Sequence, residues 1–415
     1  MCLVLCLLSA RGVVEASEFR LPSRLKVIER EAFMGIPMNT IELPEALTRI
    51  ESRAFAQTGL EYTVIPRSVT YIANDAFDGC ADFSPAVYDG SYAQQWCADN
   101  GISTWKITGL GVASHTKSDI RAFVDAHPSD PYSTTEFKVE PSLEEPYAAG
   151  QLSDATIQNA LNMINQCRYI AGLNADVANY PEMESRIEAA ALVNALNGGL
   201  SHYPERPEEL ADSRYDDLYS LAQSGASSAN LSAGRSNLAA SILWGYMYDS
   251  DSSNIDRLGH RRWVLNPSMG KTAFGFCYRS GSYYRYYSGM YAFDRSGSGR
   301  QSPVAWPAQM MPLDRFYNSG TQAWSVSFGY EIDPNAVEVT VTRNSDGKAW
   351  HFSSDNADGY FNVNNDWYGQ PGCVIFRLPT TEYCYGIDAG TSFRVTIRNS
   401  GDKTLLEYTV EFFNL

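Results

Sequence analysis

Three stretches decide the N-terminal fold: LKVIEREAF at Leu25–Phe33, LTRIESRAF at Leu47–Phe55 and VTYIANDAF at Val69–Phe77. They align without gaps at a spacing of 22 residues. Pro22, Pro44 and Pro66 keep that spacing, as do Ile28, Ile50 and Ile72, and the pairs Ala32-Phe33, Ala54-Phe55 and Ala76-Phe77. A fixed period in the twenties predicts a solenoid. Each unit supplies one short strand and one turn and cannot bury its apolar edge alone. Stacked Ile and Phe ladders then close a continuous core.

The repeats resemble the bacterial BspA-like leucine-rich repeats, whose usual pattern reads much like LPxxLxxIxxxAF. The segment Cys80 to Ile107 resembles the terminal cap of such arrays. The resemblance implies a short leucine-rich-repeat solenoid over residues 17–107, cap included. Three units offer a small face, which suits either partner binding or a spacer.

The rest of the chain is long enough for further domains: 415 residues in all, where a domain takes roughly 100–200. Hydrophobic residues at 44 % and charged residues at 19 % can fill sizeable cores. Lys plus Arg is 32 against 48 Asp plus Glu, a net charge of −16. That excess of acid argues against generic nucleic-acid binding and against docking on anionic lipid by charge alone.

Cys2 to Leu8 is apolar without a break, and Val14-Glu15-Ala16 offers small residues at the −3 and −1 positions before Ser17. Residues 1–16 read as a secretory signal peptide without a basic n-region. A buried apolar N-terminal segment is the alternative. Export would place the protein outside the cell or on its surface. No other run reaches the roughly 18 apolar residues of a membrane span. Six cysteines remain: Cys80, Cys97, Cys167, Cys277, Cys373 and Cys384. Cys80 with Cys97, and Cys373 with Cys384, are close enough for local bridges, and buried free thiols are equally compatible. None has CxxC spacing, so no cysteine zinc site is expected.

Residues 108–145 read as a linker with a short helix from Ser118 to Ala126, followed by a stretch from Pro128 to Pro146 that wraps onto a neighbour. From Thr156 the apolar spacing turns helical and runs to Gly172. A second helix opens at Pro181 and ends before Gly198-Gly199. Ser236 is the expected cap of a third, through Leu238, Ile242 and Tyr246. Trp263-Val264-Leu265, Ala273 to Phe276, and Tyr283 to Tyr287 read as strands. Helices followed by strands imply an α+β domain with α-β-α layering.

The succession Ile164-Asn165, Arg168, Ala171-Gly172-Leu173, then Ala190-Ala191 and Asn194-Ala195, then Leu200-Ser201-His202, Ser228-Ala229-Asn230-Leu231 and Gly259-His260-Arg261-Arg262-Trp263 resembles a bacterial CAP (SCP-like) domain over residues 146–300. That superfamily comprises cysteine-rich secretory proteins, antigen 5 and pathogenesis-related 1 proteins. The resemblance implies that His202 and His260 face each other across a cleft. The family tetrad adds two glutamates. The first matching place here reads Ala229-Asn230, and near the second the nearest acids are Asp249 and Asp251. The candidate cleft residues are therefore His202, His260, Asn230, Asp249 and Asp251. His202 and His260 could ligate a divalent metal such as zinc, or move a proton near neutral pH. Two His and at most one Asp would need water to complete a metal shell. A hydrogen-bonded structural pair is the alternative.

Other polar groups are weaker candidates. Ser201 lacks triad geometry with the adjacent His202, and no GxSxG elbow is present. Glu205, Glu208 and Glu209 read as a solvated acidic loop, with a general acid among them as the alternative. Arg261-Arg262 suits either an anion clamp or a turn tied to local carbonyls. Tyr283 to Tyr287 suits a carbohydrate or peptide contact strip, or a half-buried face.

Residues 301–415 alternate with period two at Trp324-Val326-Phe328-Tyr330, Val337-Val339-Val341, Phe393-Val395-Ile397 and Leu406-Tyr408-Val410-Phe412. That predicts an all-β sandwich, with its seam at Val304-Ala305-Trp306-Pro307 and no catalytic grouping around His351. The expected whole is a multidomain, secreted or surface-associated bacterial protein acting mainly by binding an extracellular protein, glycan or lipid. A hydrolase using the same two-histidine cleft is the alternative enzyme reading, and a purely structural surface module is a third.

Overall fold

The computed structural model describes residues 21–415 apart from 23–24, 40, 42, 45, 62, 89–90, 109–111, 300–302, 317–319, 380–386 and 400–403, and apart from the side chains of 105–108. The expected signal peptide, residues 1–16, and Cys384 lie outside the described residues. The chain divides into two compact units, Met1–Lys106 and Ile107–Leu415.

In the first unit the 22-residue period becomes a rung spacing. Val27–Ile28, Arg49–Ile50 and Tyr71–Ile72 pair in parallel, with Ile28 opposite Ile50 and Ile50 opposite Ile72. Phe33, Phe55 and Phe77 stack one above another, with ring centroids 5.2 and 5.4 Å apart. These separations are close to the strand spacing of a sheet. The turns are laced as well: Phe33 N–H donates to Ala54 O at 2.9 Å and Phe55 N–H to Ala76 O at 2.8 Å. On the far edge the Thr63 hydroxyl donates to Ile41 O at 2.7 Å, again one period away. The helix Tyr92–Asp99, capped by Ser91, then buries Ala93, Trp96 and Cys97 in the same core.

The expected Cys80–Cys97 bridge is absent, and both residues are buried thiols. Cys80 Sγ is held at 3.3 Å from Phe55 O and 3.4 Å from the Thr58 hydroxyl, inside the ladder. Cys97 packs from the helix, where burial pushes its thiol up to about 12. Cys373 is likewise a buried thiol.

The second unit is a mixed helix and sheet structure. The helix Asp154–Ile170 is capped by Ser153. The helix Pro181–Asn197 has Pro at its first turn and ends on Gly198 in the left-handed conformation, φ 68°. A three-stranded antiparallel sheet runs in the order Ala229–Ala233, Tyr286–Tyr291, Phe274–Tyr278. Its strands alternate faces. Phe274 and Phe276 join the core that holds Ile164, Leu238 and Ile242, whereas Cys277 and Tyr287 join the one that holds Leu192 and Leu196. Gly275 lets the helix Pro181–Asn197 lie directly on the sheet, because a Cβ there would stand 2.2 Å from Ile187 O.

Three local expectations need correction. Trp263-Val264-Leu265 is not a strand: Gly259–Val264 is a helix that Leu258 opens in the left-handed conformation, φ 48°. A three-residue apolar run cannot by itself distinguish the two. The strand expected at Tyr283 begins only at Tyr286, and Tyr283 sits on a turn, 91 % exposed. The third helix is capped by Asn237 rather than Ser236, and after Leu238–Ser241 it widens into a π-turn, Ile242–Tyr246.

The stretch expected as a linker is partly core. Val112 and Ile120 are buried in it, and the helix Lys117–Ala126 takes its cap from Thr116 through a reciprocal bond with Asp119. Asn237 Nδ2 donates to Pro131 O and Ser133 O, at 2.8 and 2.7 Å, so the Pro-rich stretch lies along its neighbour.

From Val304 the described elements are strands apart from one single-turn helix, Leu313–Arg315. They form a four-stranded sheet through Val304–Trp306, Trp324–Ser327, Cys373–Arg377 and Tyr360–Asn364. A five-stranded sheet runs through Met310–Pro312, Thr404–Phe413, Ser392–Asn399, Val337–Arg343 and Ala349–Phe352. Trp324 joins them, its ring 6.0 Å from Phe376 of the first and 5.5 Å from Phe393 of the second. Tyr330 does not continue the Trp324 face, because its strand ends at Ser327 and the ring is exposed. None of the described sheets closes into a barrel. One core carries residues from both sides of position 301, Phe276 and Met290 with Trp306 and Phe412, so the expected seam falls inside a single compact unit.

Candidate functional site

The site is built where the π-turn, the following loop and the short His260 helix meet. Asp249 is buried to 1 % side-chain exposure, while His260 keeps 21 %. The His260 ring Nδ1 lies 2.7 Å from Asp249 Oδ1, and the other carboxylate oxygen accepts from the backbone N–H groups of His260 at 2.9 Å and Arg261 at 3.3 Å. An ionised Asp249 places the proton on Nδ1, so Nε2 is the nitrogen left to meet a ligand.

A second set of contacts holds the His260 backbone and flanks its ring. Asn230 Nδ2 donates to His260 O at 3.0 Å, and the Tyr246 hydroxyl donates to Asn230 O at 3.1 Å. The Tyr246 ring stacks beside the imidazole, centroids 5.7 Å apart. Asp249 and Leu258, at φ 42° and 48°, are the two non-glycine residues with left-handed backbone among the described residues of the second unit, and both flank this site. Such conformations cost of the order of 1–3 kcal/mol each and persist where surrounding contacts enforce them.

Burial works against a charged His260. The Asp249 carboxylate and its hydrogen bond outweigh that, so the imidazole titrates above its ordinary range. Replacing Asp249 by Asn removes the carboxylate and leaves the burial. The expected result is a His260 titration that falls below the ordinary value, read by NMR of the ring protons. The stability consequence follows from the direction of the shift. A raised pKa stabilises the fold fully below the unfolded value of about 6.5 and loses that effect as pH rises through the folded value. Wild type should therefore exceed Asp249→Asn in stability by more at pH 5.5 than at pH 8.5. An unchanged difference would show that the pair does not titrate as described.

The other candidates are placed less centrally. His202 is exposed, with Nδ1 2.9 Å from Ala226 O. Ala226 and Asn230 are four residues apart, so the two histidines are tied to one segment whose ends lie within about 14 Å. Among the described residues no hydrogen bond joins His202 to His260, Asp249 or Asp251. Asp251 turns into its own loop, accepting from Ser253 N–H at 3.0 Å and from Asn254 Nδ2. Glu205, Glu208 and Glu209 are exposed.

The arginine pair is a tie and not an anion clamp. Arg261 donates to Met247 O, Tyr248 O, Ala323 O and the Ser325 hydroxyl, all within 3.1 Å. Arg262 donates to Asn364 Oδ1 at 2.6 Å, to Gln370 O at 2.8 Å and to Asp366 O.

Zinc fits poorly. Each histidine has committed Nδ1, and among the described residues no three His, Cys, Asp or Glu side chains converge on one metal position. Two Nε2 atoms fall short of the three or four protein ligands of a firm zinc site.

A family model described as a BspA type leucine rich repeat region, in six copies, matches residues 12–91. Residues 12–91 are BspA-type leucine-rich repeats. The match begins within the stretch read as a signal peptide and ends before the helix Tyr92–Asp99. The CAP resemblance of residues 146–300 has no family match behind it. Neither the curated proteins nor the solved structures yield a match. Among the described residues no helix is long and apolar enough to cross a membrane.

Proposed function

We propose that this is a secreted or surface-associated bacterial binding protein. In this reading its repeats contact an extracellular protein, residues 146–300 form a CAP-type domain that takes a ligand at His260, and residues 301–415 are a sandwich-type scaffold. The order of motifs and the sheet flanked by helices support the CAP part. The observation that carries the site is the buried Asp249, itself left-handed, aimed at His260 Nδ1, with left-handed Leu258 opening the His260 helix. A buried carboxylate that fixes the tautomer leaves Nε2 as a defined donor or acceptor at the surface. Binding is favoured over chemistry because the site pairs one imidazole with one carboxylate, and among the described residues no further base contacts the pair: Asn230 donates its Nδ2 to His260 O.

The same pair favours one alternative, a hydrolase in which His260 handles a proton and Asp249 orients it, as an acid–base dyad would. Titration with zinc at pH 7.5 and 5.5, beside assays on generic peptide, ester and glycan substrates, separates the readings. The binding reading expects weak zinc affinity at pH 7.5, lost at pH 5.5 as His260 protonates, and no turnover that depends on His260. Turnover abolished by His260→Ala would replace it with the hydrolase. Tight zinc binding at both pH values would replace it with a metal site.

A further inference from the structure

One face beside His260 has the wrong composition for inert surface. Trp263 lies one helical turn beyond His260, on the same side of the helix Gly259–Val264. Its ring packs 4.9 Å from Phe293 and 6.3 Å, edge-on, from Tyr368. Two residues past Phe293, the Arg295 guanidinium sits 5.5 Å from the centroid of Trp367, the neighbour of Tyr368. Phe293 and Trp367 remain 47 % and 45 % exposed. The rings come from three separate parts of the chain, so their gathering is a product of the fold.

The shelf is also held in place. Arg262 is buried and grips the Trp367 loop from below through the Asn364 side chain, Gln370 O and Asp366 O. Gly369 adopts φ +87°, and a Cβ there would come 2.7 Å from Asn266 Cβ, so the loop is drawn tightly onto the His260 helix. Tyr368 covers Gly259, where a Cβ would come 3.0 Å from its ring. Rings presented on a fixed loop need little further ordering when a ligand arrives.

The charges on the shelf select the ligand class. Two exposed charges border these rings, Arg295 on Trp367 and Asp366 next to it in the chain, and they are opposite in sign. An acyl chain laid across the shelf would desolvate both charges without pairing them, and an anionic ligand would meet Asp366. A pyranose with equatorial hydroxyls has a flat face of axial C–H bonds that lies on an aromatic ring, while its rim of hydroxyls can bond to carboxylate and guanidinium together. We propose that Trp263, Phe293, Trp367 and Tyr368 form a binding subsite for a neutral, gluco-configured oligosaccharide. This goes beyond the His260 reading, because the shelf can bind whatever His260 does.

The test uses the full chain with cellohexaose and N-acetylchitohexaose, followed by calorimetry and by quenching of tryptophan fluorescence. At least one oligosaccharide should bind. Trp367→Ala and Phe293→Ala should each weaken it about tenfold or more, as loss of an aromatic anchor does, and Trp367→Phe should retain most of the affinity. His260→Ala should leave it unchanged. No binding of either sugar, or equal affinity in Trp367→Ala, overturns the proposal. So does a Trp367-dependent response to phosphatidylcholine vesicles or to a proline-rich peptide in place of sugar. Binding lost in His260→Ala but kept in Trp367→Ala would overturn the shelf and move the ligand to the His260 cleft.

Discussion

Replacing Ile50 with Asp is expected to unfold the repeat unit while leaving Ile107–Leu415 folded. Ile50 has no solvent exposure and lies between Ile28 and Ile72 in register. The rung is bonded on both sides, Glu51 N–H to Ile28 O at 2.9 Å and Ala73 N–H to Ile50 O at 3.0 Å. A carboxylate there has no cation to meet and must either ionise in an apolar core or take up a proton. Either costs several kcal/mol. A small domain holds only about 5–15 kcal/mol in total, and a unit this short sits at the low end. Because each rung forms the wall of the next, the loss cannot stay local. Hydrogen exchange on the full chain provides the check. Amides around Ile28 and Ile72 should both lose protection, while the second unit, whose core is separate, keeps its own. Ile50→Val, which removes one methylene for about 1 kcal/mol, should keep both rungs protected. Protection at Ile28 and Ile72 that survives Ile50→Asp would refute the ladder.

The repeats were legible because a repeat is read against itself: Ile28, Ile50 and Ile72 announce their partners by spacing alone. The C-terminal strands were legible where one face is buried, as at Phe393-Val395-Ile397, and silent where both faces vary, as at Tyr360–Asn364, whose residues are all half-buried. The site was only partly visible. The motif order pointed to His260, Asn230 and Asp249, and these three are in contact. It also pointed to His202 and Asp251, which bond elsewhere. No linear pattern marks the features that aim Asp249 at the ring, namely a left-handed Leu258 and a π-turn ending at Tyr246, because both arise from packing. Arg262 donates locally to Arg257 O at 3.1 Å, but its partners in the Trp367 loop lie 102 to 108 residues away, beyond any local pattern. The Cys80–Cys97 pairing failed for a related reason. Proximity in sequence says nothing about direction, and both thiols are engaged in the same apolar core on separate elements.

Arg261→Met should produce the largest loss in the second unit. The guanidinium is wholly buried, and burial holds it down to about 10, low for an arginine yet still charged at neutral pH. Its donors join two parts of the chain: Met247 O and Tyr248 O beside the site, and Ala323 O with Ser325 Oγ at the start of the strand Trp324–Ser327. Replacing a buried ion pair by apolar residues can be neutral when both partners change. Here three of the four acceptors are backbone carbonyls, which no side-chain change removes. Methionine fills the volume but takes a donor from each: Met247 O keeps Gln322 Nε2 and Tyr248 O keeps the Ser250 hydroxyl, whereas Ala323 O loses its charged donor, at about 1–3 kcal/mol for a carbonyl left unsatisfied. A net loss of about 3–5 kcal/mol is expected. The carbonyls of Met247 and Tyr248 immediately precede Asp249, so loosening them also spoils the aim of its carboxylate. The His260 titration should then move down from its raised position, although residue 260 is unchanged. Arg261→Lys keeps the charge but reaches fewer acceptors, so it should recover part of the stability. Denaturant unfolding gives the first quantity and NMR of His260 the second. A full stability loss with the His260 titration unmoved would separate the arginine's structural tie from the site. An Arg261→Met variant within about 1 kcal/mol of wild type would show that these four bonds do not hold the two parts together.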